Sequence, residues 1–427
     1  MITIYTPQTS VRLNYVVDFI FKEVLSLNFQ ITNNSSQLSG VVINYSDKPI
    51  IAKNFQIFPS KFLDASDLNY TKYLSFKEED RPFFNSIKGD AFFDIFSAVF
   101  FLISRMEEYN LTSFDKHQRF ISENSILVKL KLENKPIVDI WCLDLLETLN
   151  NFFNVKISSP KVFSQYCTFD IDNAYAFKNK GIFRYTASFL KDIMCFRISK
   201  ISQRVRVLLG LSNDPYDNYS YINSFLKNHN LKAIFFFLLA DYGKMDKNIN
   251  ASNPRLISLI QWLYKIHNIG IHPSYQSFKN QLILNKEITT LHAITSNKVK
   301  LSRFHYLRFS FPKSFQILNE LSIEKDYSMG YTDRTGFRAG TCTPFYFYDL
   351  EKEKSTKLKL VPFSYMDGVL KDQLKYSIQA SIRAIKELKN SVKNVNGQFT
   401  SIWHNESLSN QDRWSGWRKV FEATWLD

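Results

Sequence analysis

The chain has 427 residues and a formal net charge of +14, with 45% apolar and 16% aromatic residues. That length leads to an expectation of two domains, and the composition supplies ample core. The lysines are spread with no dense basic run, which favours a solvated surface over a nucleic-acid groove, and peripheral attraction to an acidic membrane surface is the polyanion reading that stays open.

The first ninety residues alternate helix-like and strand-like patterns, as in VVDFIFKEVLSL followed by LSGVVINYS. A long apolar-periodic helix is expected at 92–109, then DKHQRF at 115–120 and a second helix at 139–153. Nothing here reads as catalytic, and His117 beside Arg119 is assigned to a loop or packing role. Residues 1–158 are read as an α+β domain without an assigned job. From residue 160 the rhythm changes to short strand-like runs that end on polar residues. SQYCTFDID ends in Asp172, KAIFFFLLAD in Asp241 and KLVPFSYMD in Asp367, while IHNIGIHPS carries His272, VKLSRFHYLRF His305, TGFRAGT Arg338 and GQFTSIWHN His404. Helical patterns lie between several of them, so residues 159–427 read as βα units of a distorted (β/α) barrel with about seven parallel strands. Active groups of such barrels gather at the C-terminal ends of the strands.

The longest apolar run, AIFFFLLA at 233–240, is far short of the roughly 20 residues a membrane-crossing helix needs. The N-terminal stretch has no basic region leading into an apolar block, and Cys142, Cys167, Cys195 and Cys342 form no CxxC pair. A reducing, cytoplasmic address is therefore expected.

Asp170 and Asp172 stand two apart, so in a strand they share a face, and two adjacent like charges need a cation or a shared proton. His117, His229, His267 and His292 lie away from the strand ends, which leaves His272, His305 and His404. One carboxylate and two imidazoles suit a catalytic zinc site with an open position, and Asp172, His272 and His305 supply them. Asp170 is then the general base, held ionised by an arginine, and His404 the general acid.

The ordered set TFDID, AIFFFL, IGIHPSYQS, an Arg-containing strand and WHN resembles the polysaccharide deacetylase family (NodB homology, carbohydrate esterase family 4). SRFHYLRFSFP, VPFSYMD and WHNESLSNQDRWSGW resemble members that carry a large N-terminal extension, and the likeness spans about residues 90 to 425. It implies metal-dependent removal of an N- or O-acetyl group from a sugar of a polysaccharide, glycolipid or glycan precursor, with zinc as the cofactor. By position it makes Asp170 the base, Asp172 and His272 metal ligands, and His404 the leaving-group acid; Arg303 or Arg338 matches the arginine that orients the base. The family's second metal histidine is replaced here by Gln276, and His305 is the expected substitute. Tyr275, Tyr306, Phe345 and Trp403 are candidate sugar-stacking residues, and Asn405 a candidate substrate contact. Two rivals are a DxD-type glycosyltransferase, which leaves the histidines idle, and a glycan-binding protein of the same fold, motivated by Gln276.

Overall fold

The computed structural model describes residues 1–64, 69–74, 84 and 89–426, so part of the alternation expected over the first ninety residues lies outside the described residues. Four strands, β1 Ile2–Tyr5, β2 Phe29–Thr32, β3 Val41–Tyr45 and β4 Phe55–Ile57, form a sheet in the order β2-β1-β3-β4. All its pairings are parallel. The first two parallel strands are joined through the helix Val11–Asp18, as a parallel crossover requires, which makes this sheet α/β in character where an α+β arrangement was expected. The helix expected at 92–109 is shorter, Ile95–Ile103, and all its residues are buried. It stops where Arg105 takes a left-handed conformation at φ 55°.

The rest of the chain builds a curled, mixed sheet of nine strands. These are β5 Ser164–Ile171, β6 Lys232–Phe237, β7 Asn268–Ile271, β8 Leu301–Ser302 and β9 Lys325–Met329. β10 Phe345–Asp349, β11 Lys354–Pro362, β12 Tyr365–Met366 and β13 Gln398–His404 complete it. Their order is β10-β11-β9-β8-β7-β6-β5-β13-β12, and only β10 runs antiparallel to its neighbour. The result is a half-barrel flanked by helices, which differs from seven parallel strands in four places. TGFRAGT is a loop, bent by Gly336 at φ 118° and Gly340 at φ 68°. The strands β9 and β10 stand in addition to the expected set, and the run KLVPFSYMD is divided between β11 and β12.

The curl has a small apolar interior and a much larger outer layer. Alternation along β6 sends Ile234 and Phe236 inward to meet Tyr327 of β9 and Val361 of β11, while Phe235 and Phe237 join the outer core. Gly270 on β7 makes room for this, since a side chain there would meet the Phe236 ring at 2.5 Å. The outer core continues without a break into the N-terminal residues, from Ile4 and Phe100 to Phe345 and Trp403. Among the described residues no helix is long and apolar enough to cross a membrane.

Candidate metal centre

Strand register brings the chemistry together. His404 on β13 pairs in register with Asp170 on β5, and Asp170 with Phe236 on β6. Asp172 lies one residue past the end of β5, His272 one past β7, and Arg303 one past β8. Each strand therefore delivers its polar residue to the same rim of the curl.

Arg303 is fully buried and lies over the Phe236 ring at 4.6 Å, capping the interior cluster. Its Nη1 donates to Asp170 Oδ1 at 2.8 Å and its Nε to the Tyr327 carbonyl at 2.9 Å. Arg338, the other candidate, is occupied elsewhere. Its guanidinium pairs with Glu108 and with the Gly330 carbonyl and packs over Phe120 and Phe309. The arginine at Asp170 is Arg303.

Asp172 faces three imidazoles. His272 Nε2 is 3.2 Å from Asp172 Oδ1, and His305 and His404 place Nε2 3.7 and 3.8 Å from Oδ2. Asp172, His272 and His305 each offer a ligand atom, all within 4.8 Å of one another. The outer nitrogens decide the tautomers. His272 Nδ1 meets the Arg303 carbonyl, His305 Nδ1 meets Asp246 Oδ1 at 2.8 Å, and His404 Nδ1 meets Asp367 Oδ1 at 2.8 Å. Each partner is an acceptor, so each Nδ1 carries a proton and each Nε2 can turn a lone pair toward the cleft.

That arrangement tests whether a cation fits. Asp172 Oδ1 is shielded from solvent and lacks a hydrogen-bond partner. A lone pair facing a carboxylate oxygen at 3.2 Å needs positive charge between them. Protons supply part of it. Burial lowers the pKa of His305, but the Asp172 charge and the hydrogen bond to Asp246 outweigh it and raise the group to about 9. Burial likewise opposes ionisation of Asp172, yet His305, His272 and His404 hold it well below the usual carboxylate range. Two nitrogens and a carboxylate, each with its outer partner in place, suit a divalent cation of the zinc type.

Gln276 does not join this set; its amide lies against Gly243 in the loop after β6. The second imidazole of the cluster is that of His305.

The cleft above these residues encloses about 450 Å³ and is lined by Asp170, Asp172, His272, His305 and His404 together with Tyr306. Tyr306 is 38% exposed with φ at 59°, and Tyr275 stands edge-on behind it, its ring 3.9 Å from the Arg308 guanidinium. Three other expected contacts fall away from the cleft. Trp403 is fully buried against Phe421 and Trp417, Phe345 is buried on β10, and Asn405 is spent on the Asn173 and Tyr216 carbonyls. These positions alternate to the outer face or lie under the rim, where packing claims them.

Sequence reasoning passed over three participants. Asp246 and Asp367 orient His305 and His404, although only Asp367 stood out, as an acid at a strand end. His117 lines the cleft from the N-terminal part of the chain, with its ring 5.2 Å from Tyr306 and Nδ1 3.3 Å from the Tyr275 hydroxyl. Arg119 Nη1 donates to the Tyr306 carbonyl at 2.7 Å and fixes that approach. The pairing DKHQRF was visible; its reach across the cleft was not.

The model of a family of unknown function (DUF7033) matches residues 2–154. No curated protein matches the chain. Among solved structures, the chain is similar to one from Mycobacterium smegmatis assigned to the polysaccharide deacetylases, at 14% identity over 63% of this chain and 87% of that one, with a TM-score of 0.40. It is also similar to a polysaccharide deacetylase from Bacillus cereus, at 14% identity over 62% and 85%, with a TM-score of 0.27. A third is the catalytic domain of a peptidoglycan N-acetylglucosamine deacetylase from Eubacterium rectale, at 12% identity over 63% and 86%, with a TM-score of 0.29.

Proposed function

We propose that the protein is a divalent-metal-dependent hydrolase that removes an acetyl group, N-acetyl by preference, from a sugar of a polysaccharide, glycolipid or glycan precursor. The observation that carries this reading is the division of labour between two carboxylates at the end of one strand. Asp170 is held by a buried arginine, and Asp172 is surrounded by imidazole nitrogens whose outer faces are already bonded. The ordered motifs that resemble the polysaccharide deacetylases agree with it.

Asp172, His272 and His305 would hold the cation. When bound, such an ion acidifies water and polarises an acyl oxygen at neutral pH. Arg303 engages Asp170 Oδ1, which leaves Oδ2 to accept the proton of the water that attacks the acetyl carbon. His404, whose Nδ1–H donates to Asp367, presents Nε2 3.8 Å from Asp172 Oδ2, with the base Asp170 in register on the neighbouring strand. In its doubly protonated form it gives up the Nε2 proton to the sugar nitrogen as the carbon–nitrogen bond breaks. The products are acetate and a free amine, and Asp170 and His404 then exchange protons with solvent. Tyr306 offers a partly exposed ring for one sugar face.

The test is acetate release from N-acetylglucosamine oligosaccharides by the dialysed chain, with and without added Zn²⁺ or Co²⁺. Metal-restored release that is abolished in Asp170→Asn, while that variant keeps its bound metal, is the expected result. No acetate from any N- or O-acetylated glycan in the presence of metal would remove the reading.

A further inference from the structure

Between β5 and β6 the chain leaves the half-barrel and forms three helices, of which the first two are Ile182–Met194 and Ile198–Leu208. They fold into a hairpin whose inner face is fixed by the buried pair Asp192 and Arg204 at 2.6 Å, with Val207 beside it. The outer face has no such cover. Of the 25 exposed large hydrophobic residues among those described, nine fall between Leu190 and Leu211.

The exposure peaks at the turn. Met194 is 79% exposed, Phe196 87% and Ile198 75%, with Leu190 and Ile193 just before them. Val205, Leu208, Leu209 and Leu211 continue the apolar surface along the second helix. Contiguous exposed apolar surface of this kind marks an interaction site.

Charge selects the partner. Residues 181–211 contain six basic side chains against the single acid Asp192, which already lies beside Arg204 and Arg197. Of the other four, Arg184 donates to the Asn248 and Lys247 carbonyls, while Lys191, Lys200 and Arg206 are exposed and interleave with the apolar residues. A protein groove would present the apolar residues on a concave surface, whereas here they crown the end of a projecting hairpin. Apolar side chains that enter the acyl boundary, with Lys and Arg at the level of anionic headgroups, are the signature of a helix lying in a membrane interface.

We propose that residues 190–211 dock the protein onto an anionic lipid bilayer by shallow insertion of the Met194–Ile198 turn. Docking there sets the cleft near the membrane surface. The hairpin touches the cleft rim through Gln203, whose side chain bonds Gln411, and the neighbouring Arg413 and Trp414 line the cleft. This inference stands apart from the reaction, since it rests on none of the residues at the metal centre.

The chain carries its own reporter. Cys195 is exposed at the turn while Cys142, Cys167 and Cys342 are buried, so an environment-sensitive dye on Cys195 reads insertion directly. The experiment compares vesicles of pure phosphatidylcholine with vesicles of phosphatidylcholine and phosphatidylglycerol, scored by co-sedimentation and by dye emission. The expected result is sedimentation and a blue shift with the anionic vesicles, both falling as salt rises. Met194→Ser with Phe196→Ser, and separately Lys200→Glu with Arg206→Glu, should lower vesicle affinity by roughly tenfold or more with circular dichroism unchanged. The proposal is overturned if the unvaried chain binds neither vesicle, or if both double variants bind as it does. Loss of a concentration-dependent dimer in Met194→Ser with Phe196→Ser, without any vesicle binding, would likewise overturn it and make the face a protein interface. Failure here leaves acetate release untouched, so the two claims fail separately.

Discussion

Asp246 lies 59 positions before His305 in the sequence and 2.8 Å from its Nδ1 in space. Its second duty is to accept the Tyr275 backbone N–H at 2.9 Å, so it anchors both the ligand and the loop that follows β7. Losing such an outer partner typically weakens metal binding by about 10- to 100-fold. Asp246→Asn should therefore lower metal affinity in that range, read by chelator competition, while the far-ultraviolet spectrum is preserved.

His404 tells a related story through pH. Burial pushes its pKa down, but Asp367 outweighs burial and holds it well above the ordinary 6.5. Because the folded value is raised, this coupling stabilises the protein fully below about 6.5 and the stabilisation is lost as pH rises through the folded pKa. The same protonated form is the one that can act as an acid. Asp367→Asn should move the alkaline fall of kcat to lower pH, and an unchanged alkaline limb in a pH–rate profile would deny His404 that role. At this scale much of the centre was legible, because a polar residue at the end of each apolar run is a local pattern. What was not legible was pairing. Arg303 and Arg338 look alike in sequence, and only the fold shows that one is over Phe236 beside Asp170 and the other against Glu108.

Among elements, β5, β6, β7 and β13 could be read because their apolar runs are buried by sheet neighbours and helices. β9 escaped because its sequence KDYSM is half polar. Those polar residues are satisfied inside the sheet, where Asp326 accepts from Ser302 Oγ at 2.7 Å and from the Ser328 N–H at 2.9 Å. Burial raises Asp326 to about 6 against the pull of those hydrogen bonds. β10 escaped for the opposite reason, since FYFYD is aromatic up to its final Asp349 and shows no alternation. The helix Ile95–Ile103 was legible as a helix, but its role was not. Just past its end Arg105 and Glu108 join Arg338 in a buried ionic cluster that ties the N-terminal part to the loop before β10. Glu108→Ala leaves two arginines without their shared carboxylate, and breaking a buried pair in this way costs about 3–5 kcal/mol. Urea or thermal unfolding of that variant measures the loss, and a change under about 0.5 kcal/mol, ordinary for a surface substitution, would contradict the cluster's role.

In the whole molecule, the division at 158/159 describes the sequence rhythm better than it describes the core. Arg12 pairs with Glu353 at 2.6 Å, Tyr15 donates to the Tyr346 carbonyl, and Asp139 receives Thr341, Thr343 and the Cys342 N–H. The N-terminal part thus braces β10 and its approach while His117 and Arg119 reach the cleft from the other side. Composition could bound the size of that shared core, but such long-range partners leave no periodic trace in a single sequence. All of this structure converges on three side chains able to share one cation. The direct test is elemental analysis of the purified full-length chain beside Asp172→Ala and His305→Ala. The account predicts close to one zinc-like cation per chain, lost in both variants; no cation in the unvaried chain after reconstitution, or full retention in both variants, would contradict it.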